Sequence, residues 1–153
     1  MTARNPINIL YVDDEINNLL SFKAMFRLKY NVHLALNIKE ATQVLEKNTI
    51  HILLTDHRMP DITGLDLVEI IGNKYSNPVA ILVTGCAPER EAREAIMQGK
   101  IYACLPKPWD ELRLEQMLNE AYAYYKLRNE SKVSITNLLA NQYLKSQTSI
   151  SAF

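Results

Sequence analysis

Little in this sequence marks a specialised class of protein. Its 153 residues include only 4 glycines, 6 prolines and 2 cysteines. So little Gly and Pro excludes collagen-like and low-complexity chains. Two cysteines, Cys86 and Cys104, cannot build a disulfide framework, so a reducing, cytoplasmic setting is the expectation. Neither sign of charge dominates: 17 Lys and Arg stand against 17 Asp and Glu, a formal net charge of zero. Binding to nucleic acid or to a membrane surface calls for a basic excess, so neither is expected. No run approaches the roughly 18 apolar residues of a membrane span. The apolar stretch before the first acids is too short for a signal peptide. With 48% hydrophobic and 22% charged residues, the composition is that of one folded domain with at most a short appendage.

What the chain does have is alternation. Apolar runs occur at 7–12, 32–36, 51–55, 79–84 and 101–105. The first, third and fourth are nearly unbroken Ile, Leu and Val, the pattern of strands buried on both faces of a parallel sheet; the second alternates more and suits a less protected place. Helical patterns lie between them. Ile16, Leu19, Leu20 and Phe26 form one stripe. Asn37 and Glu40 make a capping box opening a helix to about Lys47. A third helix runs from Gly64 to Lys74. Pro88 opens a fourth, carrying Ala92, Ala95 and Ile96, which Gly99 ends. Leu114, Met117, Leu118, Ala121, Tyr122 and Tyr125 keep helical spacing in a fifth. The order βαβαβαβαβα implies a doubly wound α/β fold with right-handed crossovers. After Arg128 the composition shifts: 12 of the last 25 residues are Ser, Thr, Asn or Gln, and Leu138, Leu139 and Leu144 suggest one more short helix. The expected division is residues 1–128 as the domain and 129–153 as a partly helical extension or linker.

In open parallel sheets, sites form at the carboxyl ends of the strands. Those ends carry Asp13, Asp14 and Glu15, then Thr55 and Asp56, then Thr84 and Gly85, then Lys107 between Pro106 and Pro108. Clustered carboxylates repel unless a cation neutralises them. Hard oxygen donors with open positions suit Mg²⁺. A carboxylate beside Mg²⁺ can act as a nucleophile and form an acyl phosphate. Lys107 and Thr84 supply a charge and a hydroxyl for phosphoryl oxygens.

The stretches ILYVDDE (9–15), LLTDHRMPDITG (53–64), VTG (83–85) and LPKPWD (105–110) resemble, together and in order, a response-regulator receiver domain of the CheY-like family, over roughly residues 7–128. The resemblance implies a flavodoxin-like, five-stranded parallel sheet of order 2-1-3-4-5. It implies phosphorylation of Asp56 by a sensor histidine kinase or phosphotransfer protein. Asp13, Asp14, Asp56 and the backbone carbonyl of Arg58 would hold Mg²⁺. Thr84 and Lys107 would contact the phosphoryl group, and Pro108 would follow a cis peptide. Met59, Pro60 and Gly64 match the loop after the acceptor. The family's switch aromatic, three residues before the lysine, is Cys104 here; Tyr102 and Trp109 are the available substitutes. Receivers with KPWD often precede HD-GYP phosphodiesterase, cyclase or enhancer-binding output domains. A downstream protein or output domain, and a homodimer through the fourth and fifth helices, are the partners this implies.

Rival readings are weaker. A haloacid-dehalogenase-like phosphatase needs Asp-x-Asp after its first strand, and this chain has Asp13-Asp14-Glu15. A pseudo-receiver, never phosphorylated and serving as a dimerisation or interaction module, is the alternative. His57 is expected to face solvent from its loop. His33 and His51 sit at strand starts without ligand spacing. Arg58 is balanced between covering the acceptor and ordinary exposure. Cys86 is expected to be a small inert thiol rather than a redox switch. Tyr122, Tyr124 and Tyr125 offer an exposed patch beside the core stripe.

Overall fold

The unbroken Ile/Leu/Val runs become the middle of a sheet. In this computed structural model, which describes residues 7–75, 77–85 and 89–151, the strands are β1 (Asn8–Val12), β2 (Asn31–Ala35), β3 (Ile52–Thr55), β4 (Val79–Thr84) and β5 (Ala103–Pro106). All pairings are parallel, in the order β2-β1-β3-β4-β5, as the sequence suggested. β3 and β4 are buried along their whole length, whereas edge strand β2 is half-buried until Ala35.

The helices are α1 (Ile16–Phe26), α2 (Ile38–Lys47), α3 (Gly64–Lys74), α4 (Glu89–Met97) and α5 (Glu111–Ser151). They split the core in two across the sheet. Ile9, Tyr11, Ile52, Leu54, Ile81 and Val83 pack with α1 and α5. Leu10, Val12, Leu53, Ala80 and Leu82 pack with α2, α3 and α4. Successive strand residues point to opposite faces, so each central strand feeds both cores.

Local signals set the helix ends. Asn37 Oδ1 accepts the Glu40 N–H at 2.9 Å, and the Glu40 carboxylate accepts the Leu36 N–H at 2.8 Å, one residue further out than an ideal capping box. Thr63 caps α3 by accepting the Asp66 N–H. After α4, Gly99 takes φ +72°, the left-handed turn that glycine adopts without a Cβ penalty.

Several sequence expectations are corrected. In α1 the buried stripe is Leu19, Phe22 and Phe26, while Ile16 and Leu20 are 49% and 53% exposed. Those two share their own i, i+4 row, rotated away from the sheet. Ile96 is likewise exposed. β5 starts two residues later than its apolar run, and β2 one residue earlier. There is no separate short helix at Leu138–Leu144: α5 continues unbroken, because residues 129–151 contain no Gly or Pro to stop it. Pro88 and Cys86 lie outside the described residues.

His51 ties the amino-terminal edge of the sheet to α5. Its Nδ1 accepts the Asn8 N–H at 2.9 Å, and Tyr122 and Tyr125 meet its ring edge-on at 5.2 and 5.1 Å. Burial lowers its pKa below 6.5; burial, then Lys23, lowers that of His33. As pH falls, the unfolded chain therefore protonates first. The stability these neutral rings contribute is complete above 6.5 and is lost below it. The urea midpoint is expected to fall as pH drops from about 7 to 5, and to fall less in His51→Gln.

Candidate functional site

Three strands and one loop deliver the charged groups to the carboxyl edge of the sheet. β1 ends at Val12 and runs into Asp13, whose N–H is held by the Ala35 carbonyl at 3.1 Å. β3 ends at Thr55, and the Asp56 N–H reaches the Val12 carbonyl at 3.0 Å. β4 ends at Thr84, whose carbonyl accepts the Lys107 N–H at 3.1 Å. The backbone hydrogen bonding of adjacent parallel strands thus brings residues far apart in sequence into one cleft. The Lys107–Pro108 peptide is cis.

Asp13 is 0% exposed, yet its carboxylate is well supplied with donors. Oδ2 accepts from Lys107 Nζ at 2.6 Å, from the Tyr11 hydroxyl at 2.8 Å and from Asn18 Nδ2 at 3.2 Å; Oδ1 accepts the Glu15 N–H at 2.9 Å. Asp56 Oδ1 accepts the His57 N–H at 2.7 Å, and its Oδ2 faces Lys107 Nζ at 3.1 Å. Lys107 thus bridges two carboxylates with a side chain only 16% exposed. Burial opposes its charge, but Asp13 and then Asp56 outweigh that and raise its pKa above 10.5. Its stabilising contribution is therefore complete below 10.5 and is lost as pH climbs through the raised value. Tyr11 is raised as well, by burial first and the Asp13 charge second, so its phenol stays a hydrogen-bond donor.

Asp14 completes the cluster. Asp13, Asp14 and Asp56 each offer an oxygen, and the three oxygens lie within 4.8 Å of one another. Among the described residues, three hard, closely spaced carboxylates against a single ammonium leave excess negative charge, a donor set that fits a divalent oxophilic cation. Thr84 is buried beside them, at the end of β4. Arg58 is exposed, and its backbone bridges to Thr63 across the loop that follows β3.

The two candidate switch modulators part company. Tyr102 packs with the α1/α5 core, its ring 5.4 Å from that of Tyr124, whereas Cys104 lies against the opposite core, where burial raises its thiol pKa. Trp109 joins Tyr11 and Phe22, edge-on at 6.0 and 6.1 Å. His57 does not face solvent as expected: it is 9% exposed, and its Nδ1 is buried without a hydrogen-bond partner among the described residues. The loop turns its side chain inward while its N–H and C=O serve Asp56 and Gly64. The motif reading missed Tyr11 and Asn18. Tyr11 had one available signal, a hydroxyl in an otherwise aliphatic strand two residues before an acid and therefore on the same side of the chain.

Residues 9–119 match the family model for the response regulator receiver domain. The chain belongs to that family. Response regulator protein PilR of Pseudomonas aeruginosa is 34% identical over 122 residues, which span 78% of this chain and 26% of PilR. Hydrogenase transcriptional regulatory protein HoxA of Bradyrhizobium diazoefficiens is 26% identical over 82% of this chain and 26% of its own length. The chain spans about a quarter of the length of these curated relatives. Among solved structures, the signal receiver domain of an HD domain-containing protein from Pseudomonas fluorescens superposes with a TM-score of 0.74 at 27% identity, covering 85% of this chain and 96% of that one. The receiver is thus a signalling module of two-component systems, and it matches part of longer proteins named as transcriptional regulators. Among the described residues, no helix of this receiver is long and apolar enough to cross a membrane.

Proposed function

We propose that this receiver is a phosphorylation-dependent switch that takes a phosphoryl group onto Asp56 from the phosphohistidine of a sensor kinase or phosphotransfer protein. The observation that carries this reading is Lys107 Nζ placed between Asp13 and Asp56, at 2.6 and 3.1 Å, beside a third carboxylate. The Asp56 carboxylate attacks phosphorus in line; the P–N bond to the donor imidazole breaks as the acyl phosphate forms, and the imidazole leaves as a neutral ring once it carries its proton. Lys107 then pairs with a phosphoryl oxygen, and the Thr84 hydroxyl takes another. The His57 N–H keeps Asp56 oriented throughout. Asp13, Asp14, Asp56 and the Arg58 carbonyl are the groups that would hold Mg²⁺, which when bound supplies positive charge against the phosphoryl oxygens. Transfer of Lys107 from Asp13 to the phosphoryl group shifts a two-state equilibrium by about 1–3 kcal/mol, a typical coupling energy. Residues 1–128 act as the receiver and 129–153 as a helical arm toward an output domain or protein. The chain acts on itself in the cytoplasm and turns over no separate substrate.

One observation favours an interaction role for the arm. Along α5, Leu127, Ile135, Leu138, Leu139, Tyr143 and Leu144 are exposed. A second copy docking along α4 and α5 would cover much of this surface.

The test is incubation with acetyl phosphate and Mg²⁺, followed by peptide mapping. The expected result is one hydroxylamine-sensitive phosphoryl group on the peptide holding Asp56, absent when the metal is chelated. No label in the presence of Mg²⁺ sinks the switch and leaves the non-phosphorylated interaction module.

A further inference from the structure

Asp13 has a partner that the phosphotransfer reading leaves without a task. Tyr11 lies wholly within the α1/α5 core, 0% exposed, among aliphatic neighbours and the rings of Phe22 and Trp109. A phenylalanine would fill the same space. A hydroxyl buried there is costly unless it is hydrogen-bonded, and this one donates to Asp13 Oδ2 at 2.8 Å.

The donors on Asp13 Oδ2 are not equivalent. Lys107 Nζ is shared with Asp56, and it is the donor that a phosphoryl group would draw away. Asn18 Nδ2 is the longest contact, at 3.2 Å, and is shared with Glu15 Oε2 at 3.1 Å. Of these three donors, Tyr11 combines a short bond with a fully buried ring, which Phe22 meets edge-on at 5.1 Å and Trp109 at 6.0 Å. Among the described residues, three donors fill Oδ2, whereas the Glu15 N–H takes one acceptor position on Oδ1. Oδ1 is therefore the oxygen with capacity to spare for a cation.

We propose that Tyr11 is a positioning residue: its hydroxyl pins Asp13 through Oδ2 so that Oδ1 is presented to the divalent cation, and it remains as Asp13's fixed donor when Lys107 moves to a phosphoryl group. This deepens, and rests on, the reading of the site as a cation-dependent phosphoacceptor. Groups that hydrogen-bond a metal ligand from behind fix its orientation, and their loss commonly weakens metal binding by about 10–100-fold.

The experiment compares Mg²⁺ binding by the full chain, its Tyr11→Phe variant and its Phe22→Leu variant, using isothermal titration calorimetry with no phosphodonor present. Tyr11→Phe keeps the ring and removes only the donor, so its affinity is expected to fall by about tenfold. Phe22→Leu loosens the packing but keeps the hydroxyl, so its affinity should stay close to that of the unaltered chain. An unchanged affinity in Tyr11→Phe overturns the proposal. So does an equal loss in Phe22→Leu, which would assign the effect to packing, and so does an unaltered chain that binds no Mg²⁺. Acetyl phosphate labelling is scored separately. If the unaltered chain binds Mg²⁺ and Tyr11→Phe weakens it, yet Asp56 is never labelled, the phosphotransfer reading fails and the positioning role stands.

Discussion

Asp56→Asn will take up no phosphoryl group from acetyl phosphate at any Mg²⁺ concentration, and its metal-free fold will be more stable than that of the unaltered chain. The first half follows from chemistry: an amide of the same shape has no anionic oxygen with which to attack phosphorus. The second follows from charge. Asp13, Asp14 and Asp56 bring three carboxylates within 4.8 Å, and among the described residues Lys107 is the ammonium bonded to them. Neutralising one leaves two acids against one base, and Lys107 keeps its shorter bond, 2.6 Å to Asp13. At the effective dielectric of a half-buried site this is worth about 1 kcal/mol, seen as a higher urea midpoint in chelator. Mg²⁺ will stabilise the variant less than the unaltered chain, because one donor has gone. Labelling that survives in Asp56→Asn would place the acceptor elsewhere. A lower metal-free midpoint would mean that the bond to Lys107 at 3.1 Å outweighs the repulsion.

The fold was legible in the sequence because the central strands are buried on both faces, and such strands must be apolar throughout. Ile52–Thr55 and Val79–Thr84 could hardly read otherwise. The site was legible for a related reason: Asp13, Asp56 and Lys107 each follow a strand directly and Thr84 ends one, so chain order translates into spatial order. What sequence reasoning missed depends on rotation and partnership. The side of α1 that faces the sheet is set by packing, and it chose Leu19, Phe22 and Phe26 over Ile16 and Leu20. His57 sits in a loop, where no periodicity tells inward from outward, and it turned inward. Tyr11 read as one more core residue, since its spacing shows burial but not the bond its hydroxyl makes to Asp13. The polar tail after Arg128 read as an appendage, yet without Gly or Pro nothing interrupts the hydrogen bonding of α5.

Gly64→Ala will damage both fold and site, although it adds only one methyl group. Gly64 opens α3, and its N–H is bound by the His57 carbonyl at 2.8 Å. A Cβ at this position would lie 2.3 Å from the Asp56 carbonyl oxygen and 2.9 Å from Leu82 Cδ1. The obstacle is largely backbone and cannot swing aside as a side chain would. The Asp56 peptide is itself held, its N–H by the Val12 carbonyl at 3.0 Å and its carbonyl by the Thr55 hydroxyl at 2.9 Å. Relief therefore requires moving either the start of α3 or Asp56. The expected cost is about 3 kcal/mol or more, at the severe end of overpacking. In the molecules that still fold, a displaced Asp56 should slow labelling at saturating Mg²⁺ by up to about a hundredfold. Gly85→Ala is the control: among the described residues its Cβ meets nothing within 4 Å, and its urea midpoint should barely move. Should Gly64→Ala match the unaltered chain in both midpoint and labelling rate, the loop after β3 would have to be far softer than its hydrogen bonds imply, and the close seating of α3 against Asp56 would not be what fixes the acceptor.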